Sequence, residues 1–238
     1  MFKTKSGIII PAKENLVPIS LNGNDGDIYR YLNYCIKFLR TEPNMSIEKL
    51  EYLIKYISHE LLLIPVEAVY ENNEYKAYLT KYIKDLKLKS LKCNTFLECI
   101  EALRECFTLF TKNNIEAFDT HGKNIIVNEK IYLIDFDRFQ FYFDDDLVTI
   151  NNRYYQDLIF DMIKWSFLES FVNESVILPY ASMNNSSNAE YPFDKWIREN
   201  KNKQDVINFF AKELREYKTM EEYFLDREEY ILKKCLSI

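Results

Sequence analysis

The sequence predicts an α+β fold in which a small antiparallel β lobe, residues 1–84, precedes a larger, mainly helical lobe, residues 85–238. Three observations predict it. Short β-branched and aromatic runs crowd the first third of the chain. Beyond about Lys84 to Lys92 the apolar positions recur at helical spacing instead. The 47% hydrophobic content, with only 4 glycines and 6 prolines in 238 residues, supplies a dense core and excludes disordered or collagen-like sequence.

In chain order, strands are expected at about Gly7 to Pro11, Ile28 to Leu32 and Tyr34 to Leu39, followed by a helix from about Ser46 to Ser58. Pro65 to Tyr70 and Tyr75 to Tyr82 read as two more strands joined by the turn Glu71-Asn72-Asn73-Glu74. Phe96, Ile100, Leu103, Phe107 and Phe110 define a helix over Thr95 to Lys112. A short hairpin follows, Ile125 to Val127 and Ile131 to Ile134, turning at Asn128-Glu129-Lys130. Helices are expected over Tyr154 to Phe171, Phe193 to Tyr217 and Met220 to Leu236, with an exposed loop at Ser182 to Ala189.

Several classes fall away on composition. The longest apolar runs, such as Leu61 to Pro65, are too short to span a bilayer, and no basic leader with a hydrophobic stretch opens the chain, so a cytoplasmic protein with no membrane partner is expected. The five cysteines (Cys35, Cys93, Cys99, Cys106, Cys235) are odd in number and lack C-x-x-C spacing, which reads as core thiols. A net charge of -6 of mixed sign argues against nucleic acid as the main partner.

The chemistry-bearing segment is Asp119-Thr120-His121-Gly122-Lys123-Asn124, then the apolar hairpin, then Asp135-Phe136-Asp137. The residue before a hairpin's first strand and the residue after its second share the open end, so Asn124 and Asp135 are expected neighbours. An amide oxygen and a carboxylate converging there are the hard ligands that Mg²⁺ prefers. Asp119 faces the same point without being a ligand, placed to accept a proton. Taken singly, each of these residues is also an ordinary turn former at a strand end.

The spacing D-x-x-x-x-N, an apolar hairpin and I-D-F resembles the catalytic loop and metal-binding aspartate of the protein-kinase-like phosphotransferases, and D-T-H-G-K-N is closest to the D-x-H-x-x-N form of their aminoglycoside and choline kinase branch. The resemblance covers roughly Gly23 to Trp165 and implies a two-lobed kinase-like fold. It implies that Gly23 and Gly26 form a reduced phosphate loop and that Tyr34-Cys35-Ile36-Lys37 is the strand carrying the phosphate-binding lysine. Glu51, on the apolar stripe Ile47, Leu50, Ile54 and Ile57, is its expected carboxylate partner, and the backbone of Thr80, Lys81 and Tyr82 meets adenine. ATP and Mg²⁺ are the implied cofactors. Asn124 and Asp135 are the implied metal ligands, and Asp119, Lys37 and Glu51 the catalytic set. The acceptor is a hydroxyl, either protein Ser/Thr or a small molecule. His121 either supports the loop by hydrogen bonding or touches the γ-phosphate, and Asp137 either assists a second cation or caps the next turn.

Departures narrow this expectation. Ala117 and Phe118 stand where protein kinases carry His-Arg before the catalytic aspartate, which removes an arginine pocket for a phosphorylated activation loop. Asp137 replaces the glycine of D-F-G, and there is no A-P-E match in the 22 positions between Asp135 and Asp157. Two competing readings are a pseudokinase serving as a nucleotide-binding or scaffold module without turnover, and a structural interaction protein with no nucleotide site.

Overall fold

A computed structural model describes residues 2–21, 23, 25–40, 44–170 and 203–227. The fold is α+β, built on a seven-stranded antiparallel sheet, and the strands that sequence alternation predicts form its centre. In chain order the strands are β1 (Phe2–Thr4), β2 (Ile9–Ile10), β3 (Val17–Ser20), β4 (Gly26–Tyr31), β5 (Tyr34–Leu39), β6 (Glu67–Glu71) and β7 (Glu74–Lys81). They are arranged β2-β1-β6-β7-β5-β4-β3. The turn between β6 and β7 uses Asn72 (φ 51°) and Asn73 (φ 66°), left-handed positions that Asn tolerates and that match the twist of a tight hairpin.

The predicted strand Gly7 to Pro11 shrinks to β2, because Gly7 (φ 93°) turns the chain back onto β1. Strand β1 carries too few residues to show an alternating pattern. Strand β3 was missed because Val17, Pro18, Ile19 and Ser20 are all exposed, so no face is buried and no period marks it. Pro18 is tolerated in β3 because that strand is the sheet's edge.

Two units divide the chain. The first takes Met1–Lys84, Cys106–Asp119 and Tyr132–Asn151, and the second Asp85–Glu105, Thr120–Ile131 and Asn152–Ile238. The sheet-bearing unit thus joins residues 1–84 to two later segments of the chain.

In the first unit Ile36, Phe38, Val69, Ala77 and Leu79 pack with Phe2, Ile10 and Leu16 on one side of the sheet. Alternation sends Lys37 and Tyr78 to the other side, where they are direct cross-strand partners. Helix α1 (Ile47–Tyr56) is capped by Ser46, whose hydroxyl accepts the Lys49 N–H, and buries Leu50 and Leu53. A second aromatic knot joins Phe110, Phe136 and Phe139, with ring centroids 5.0–6.4 Å apart.

The longest helices are α2 (Cys93–Lys112) and α3 (Leu147–Ser170). Helix α3 begins seven residues before the expected Tyr154, and Asn151 and Asn152 lie inside it. In the second unit, α4 (Lys203–Glu213) and the helical residues 220–227 pack around Phe210, Tyr223 and Phe224. Two small sheets complete the described fold, β9 (Ile125–Val127) with β10 (Ile131–Leu133), and β8 (Ile115–Glu116) with β11 (Gln140–Phe141). The expected loop at Ser182 to Ala189, the helix start at Phe193, the end of the last helix and Cys235 lie outside the described residues. Cys93, Cys99 and Cys106 are buried thiols outside any disulfide, as expected of core cysteines, and Cys35 is a partly exposed one. Among the described residues no helix is long and apolar enough to cross a membrane.

Gly26 opens β4 opposite Leu39, and a Cβ there would lie 2.2 Å from the Phe38 carbonyl oxygen. Gly26→Ala must therefore push two paired strands apart, and a loss of about 1–3 kcal/mol is expected in urea unfolding. Unchanged stability would show that the strands yield without cost.

Candidate functional site

Lys37 is the centre of the first unit's polar constellation. Its strand register places it on the face opposite the apolar cluster, where it is 7% exposed. Its Nζ donates to Asp135 Oδ1 at 2.7 Å across 98 positions of sequence. The same Nζ lies 2.8 Å from Asp137 Oδ2, an ion contact without hydrogen-bond direction. Asp137 is fully buried, and its Oδ1 accepts from the Tyr78 hydroxyl at 2.6 Å.

Burial alone would depress the Lys37 pKa, but Asp137 and then Asp135 outweigh it and hold the ammonium above the ordinary lysine value. Burial pushes the Asp137 carboxyl up, against the pull of Lys37. The Tyr78 phenol is raised by burial and by Asp137, so it stays a donor.

Local structure explains how the I-D-F-D segment reaches Lys37. Leu133 pairs with the residue 61–63 stretch through Leu133 N–H to the Leu61 carbonyl at 2.8 Å and Leu63 N–H to the Leu133 carbonyl at 3.0 Å. Phe136 then anchors in the aromatic knot, so the aspartates on either side of it turn toward the lysine. Asp135 adopts φ 60°, and Asp119 adopts φ 65°. These are left-handed conformations that cost a non-glycine residue of order 1 kcal/mol or more and recur at functional sites.

Asp119 is brought to this region by the β8–β11 pair, which the sequence did not reveal because each strand is two residues long. Glu116 opposes Gln140, with a side-chain hydrogen bond of 2.8 Å, so the chain after Glu116 runs beside the chain before Gln140. Arg138 there lies 3.5 Å from Asp119 Oδ2 and 3.4 Å from Asp25 Oδ2. Asp25 in turn accepts from Asn44 Nδ2 at 2.6 Å. Asp119 therefore sits in an ion pair rather than alone.

Asn151, unremarked in sequence, braces the approach to Asp119. Its Oδ1 accepts the Ala117 N–H at 2.9 Å and its Nδ2 donates to the Ile115 carbonyl at 2.8 Å, all buried. Nothing in the sequence marks Asn151, because its role rests on a burial that only the fold creates.

The expected Lys37–Glu51 pair is not made. Glu51 is exposed and pairs with Lys5 at 2.9 Å. The buried stripe of α1 is Leu50 and Leu53, continued by the C-cap Ile57, with Ile54 40% exposed, so the inward face is rotated away from Glu51. Lys49 takes the inward position and donates to the carbonyls of Asp137 and of Phe139, the latter at 2.6 Å.

Gly26 is required by strand packing, and a Cβ on Gly23 would lie 2.7 Å from the Gly26 carbonyl oxygen, so both glycines are accounted for by close backbone approach. Thr80 and Lys81 lie within β7, paired with Cys35 and Tyr34, and the Tyr82 N–H already donates to the Asn33 carbonyl at 2.8 Å. That donor of the expected adenine-binding stretch is committed to the sheet.

In the second unit, His121 supports its own loop, its Nδ1 accepting the Lys123 N–H at 3.1 Å. The Gly122 N–H donates to Asp161 on α3 at 3.0 Å. Gly122 and Lys123 also border an open cleft of about 340 Å³ that Asp85, Leu86 and Val127 help to line. Asn124 belongs to this unit and Asp135 to the first. Among the described residues no three of His, Cys, Asp and Glu form a ready-made metal cage. Mg²⁺ needs only one or two protein oxygens beside water and phosphate, and the Asp135 carboxylate, 31% exposed, suits it.

No protein-family model matches the chain, and no curated protein matches it.

Removing Lys37 strands Asp137 as a buried uncompensated charge. Lys37→Met is expected to cost roughly 3–5 kcal/mol in urea unfolding, and a loss near zero would refute the buried pair. Burial pushes the Lys49 ammonium down to about 8, against the pull of Asp137 and Asp25. A lysine with a lowered folded pKa costs stability while charged, and that cost fades as pH rises from about 8 to the ordinary value of 10.5. The wild type should therefore gain stability relative to Lys49→Met across that window, which melts at either end of it would measure.

Proposed function

We propose that the chain is an ATP- and Mg²⁺-dependent phosphotransferase of two-lobed, protein-kinase-like fold, moving the γ-phosphate to a hydroxyl on a protein or a small molecule. One observation carries the reading: the buried sheet lysine Lys37 meets Asp135 of the I-D-F segment at 2.7 Å. A phosphate-binding lysine and a metal-binding aspartate must converge on the same phosphates, and nothing in local structure requires residues this distant to meet. The order of parts supports it as well: a glycine-bearing turn between β3 and β4, Lys37 on β5, helix α1, two more strands, then Asp119 and Asp135.

In this function Lys37 binds the α- and β-phosphates. Asp135 would hold Mg²⁺ beside water and phosphate, and the cation would neutralise charge on the phosphate oxygens. Asp119 orients the acceptor hydroxyl and takes its proton, with Arg138 holding the carboxylate in place. His121 keeps the loop folded.

A second reading, a nucleotide-binding or scaffold module without turnover, is favoured by the β3–β4 turn. Asp25 adds a carboxylate between the two glycines in sequence, and Gly23 and Gly26 both serve close backbone approach.

Incubation with γ-labelled ATP and Mg²⁺ separates the two. Phosphotransfer or ATP hydrolysis should fall by about 10²–10⁴-fold in Asp119→Asn while Mg–ATP still raises the melting temperature. Asp135→Ala should lose the Mg²⁺-dependent part of that stabilisation. A wild type stabilised by Mg–ATP but without turnover supports the scaffold reading, and absence of any stabilisation excludes both.

A further inference from the structure

Resting on the phosphotransfer reading, we infer that Asp137, held by Tyr78, is the residue that positions the phosphate-binding Lys37, and that Glu51 has no part in it. Three independent features converge on this assignment. Register makes Tyr78 the cross-strand partner of Lys37, so both side chains leave the sheet on one face at adjacent points. Both reach the same carboxylate: the Tyr78 hydroxyl is 2.6 Å from Asp137 Oδ1 and Lys37 Nζ is 2.8 Å from Oδ2. Asp137 is 0% exposed, whereas Asp135 on the same lysine is partly open.

The two carboxylates therefore divide the work. The buried one, with one oxygen held by a phenol and the other 2.8 Å from the ammonium, is a permanent counter-ion. The accessible one is free to exchange lysine for other partners. Glu51, on the far side of α1, is paired with Lys5 at the surface. Helix α1 is tied to the segment through Lys49 and the main-chain carbonyls of Asp137 and Phe139 instead. A lysine anchored this way keeps its place without a helix carboxylate, so displacement of Glu51 has no route to it.

The test uses the full chain with Asp137→Asn, Tyr78→Phe and Glu51→Gln. The first readout is acylation of individual lysines by an amine reagent without nucleotide, followed by peptide mass spectrometry. Lys37 should be protected alike in wild type and Glu51→Gln, and labelled several-fold faster in Asp137→Asn and, less so, in Tyr78→Phe. Amide hydrogen exchange across β5 to β7 is the control: a generally loosened fold speeds exchange throughout the sheet, whereas loss of the anchor speeds acylation of Lys37 without it. The second readout is Mg–ATP affinity, expected to weaken about 10–100-fold in Asp137→Asn and to be unchanged in Glu51→Gln. If Asp137→Asn does not fold, Tyr78→Phe, which keeps both charges, carries the comparison. Labelling of Lys37 in Glu51→Gln as fast as in the anchor variants, or no change in the anchor variants, overturns the inference. The expected labelling order in a protein that binds no Mg–ATP overturns the phosphotransfer reading and leaves the anchor supported.

Discussion

A lysine ammonium taken out of water costs several kcal/mol unless charge comes with it, and the first unit is organised around meeting that cost for Lys37. Strand β5 buries Ile36 and Phe38 in the apolar cluster, and the period of two then drives Lys37 to the covered opposite face. Two carboxylates must be delivered there from a segment nearly 100 residues away. Much of the unit serves that delivery: the pairing of Leu133 with residues 61–63, the Phe110-Phe136-Phe139 knot, and the Lys49 grip on two carbonyls.

The same delivery explains the backbone at the site. A single residue, Phe136, separates the two aspartates, and its burial fixes where both can point. The left-handed turn at Asp135 is the conformation that lets a carboxylate on each side of one buried ring reach one ammonium. Asp119 shares that conformation on a neighbouring stretch, aligned by β8 and β11 and braced by Asn151. Both strained positions are over-determined by their surroundings, which is the condition under which strain persists.

The limits of sequence reading fall on particular residues. Strands β4 to β7 and helices α1 and α2 were legible because each presents a clear apolar period over five or more residues. β1, β8 and β11 are two or three residues long and have no period to read, and the all-exposed β3 has no buried face. Glu51 was misplaced because a helix with Ile47, Leu50, Leu53, Ile54 and Ile57 offers two overlapping stripes. The choice between them is a rotation of the helix, made by what packs against it. Asp137 is expected from sequence to assist a second cation or cap the next turn, and nothing local marks it as the buried one.

What the sequence by itself determined is the α+β class, most of the sheet, the turn chemistry, and a short set of candidate polar residues: Lys37, Asp119, Asn124, Asp135 and Asp137. Each follows from local rules, alternation, spacing and the preferences of Asn and Asp at strand ends. Only the tertiary structure decided who pairs with whom. Ion pairing depends on distances between segments far apart in the chain, set by strand register, helix rotation and the burial of Phe136. Those gave Lys37 to Asp137 and Asp135, Glu51 to Lys5, and Asp119 to Arg138.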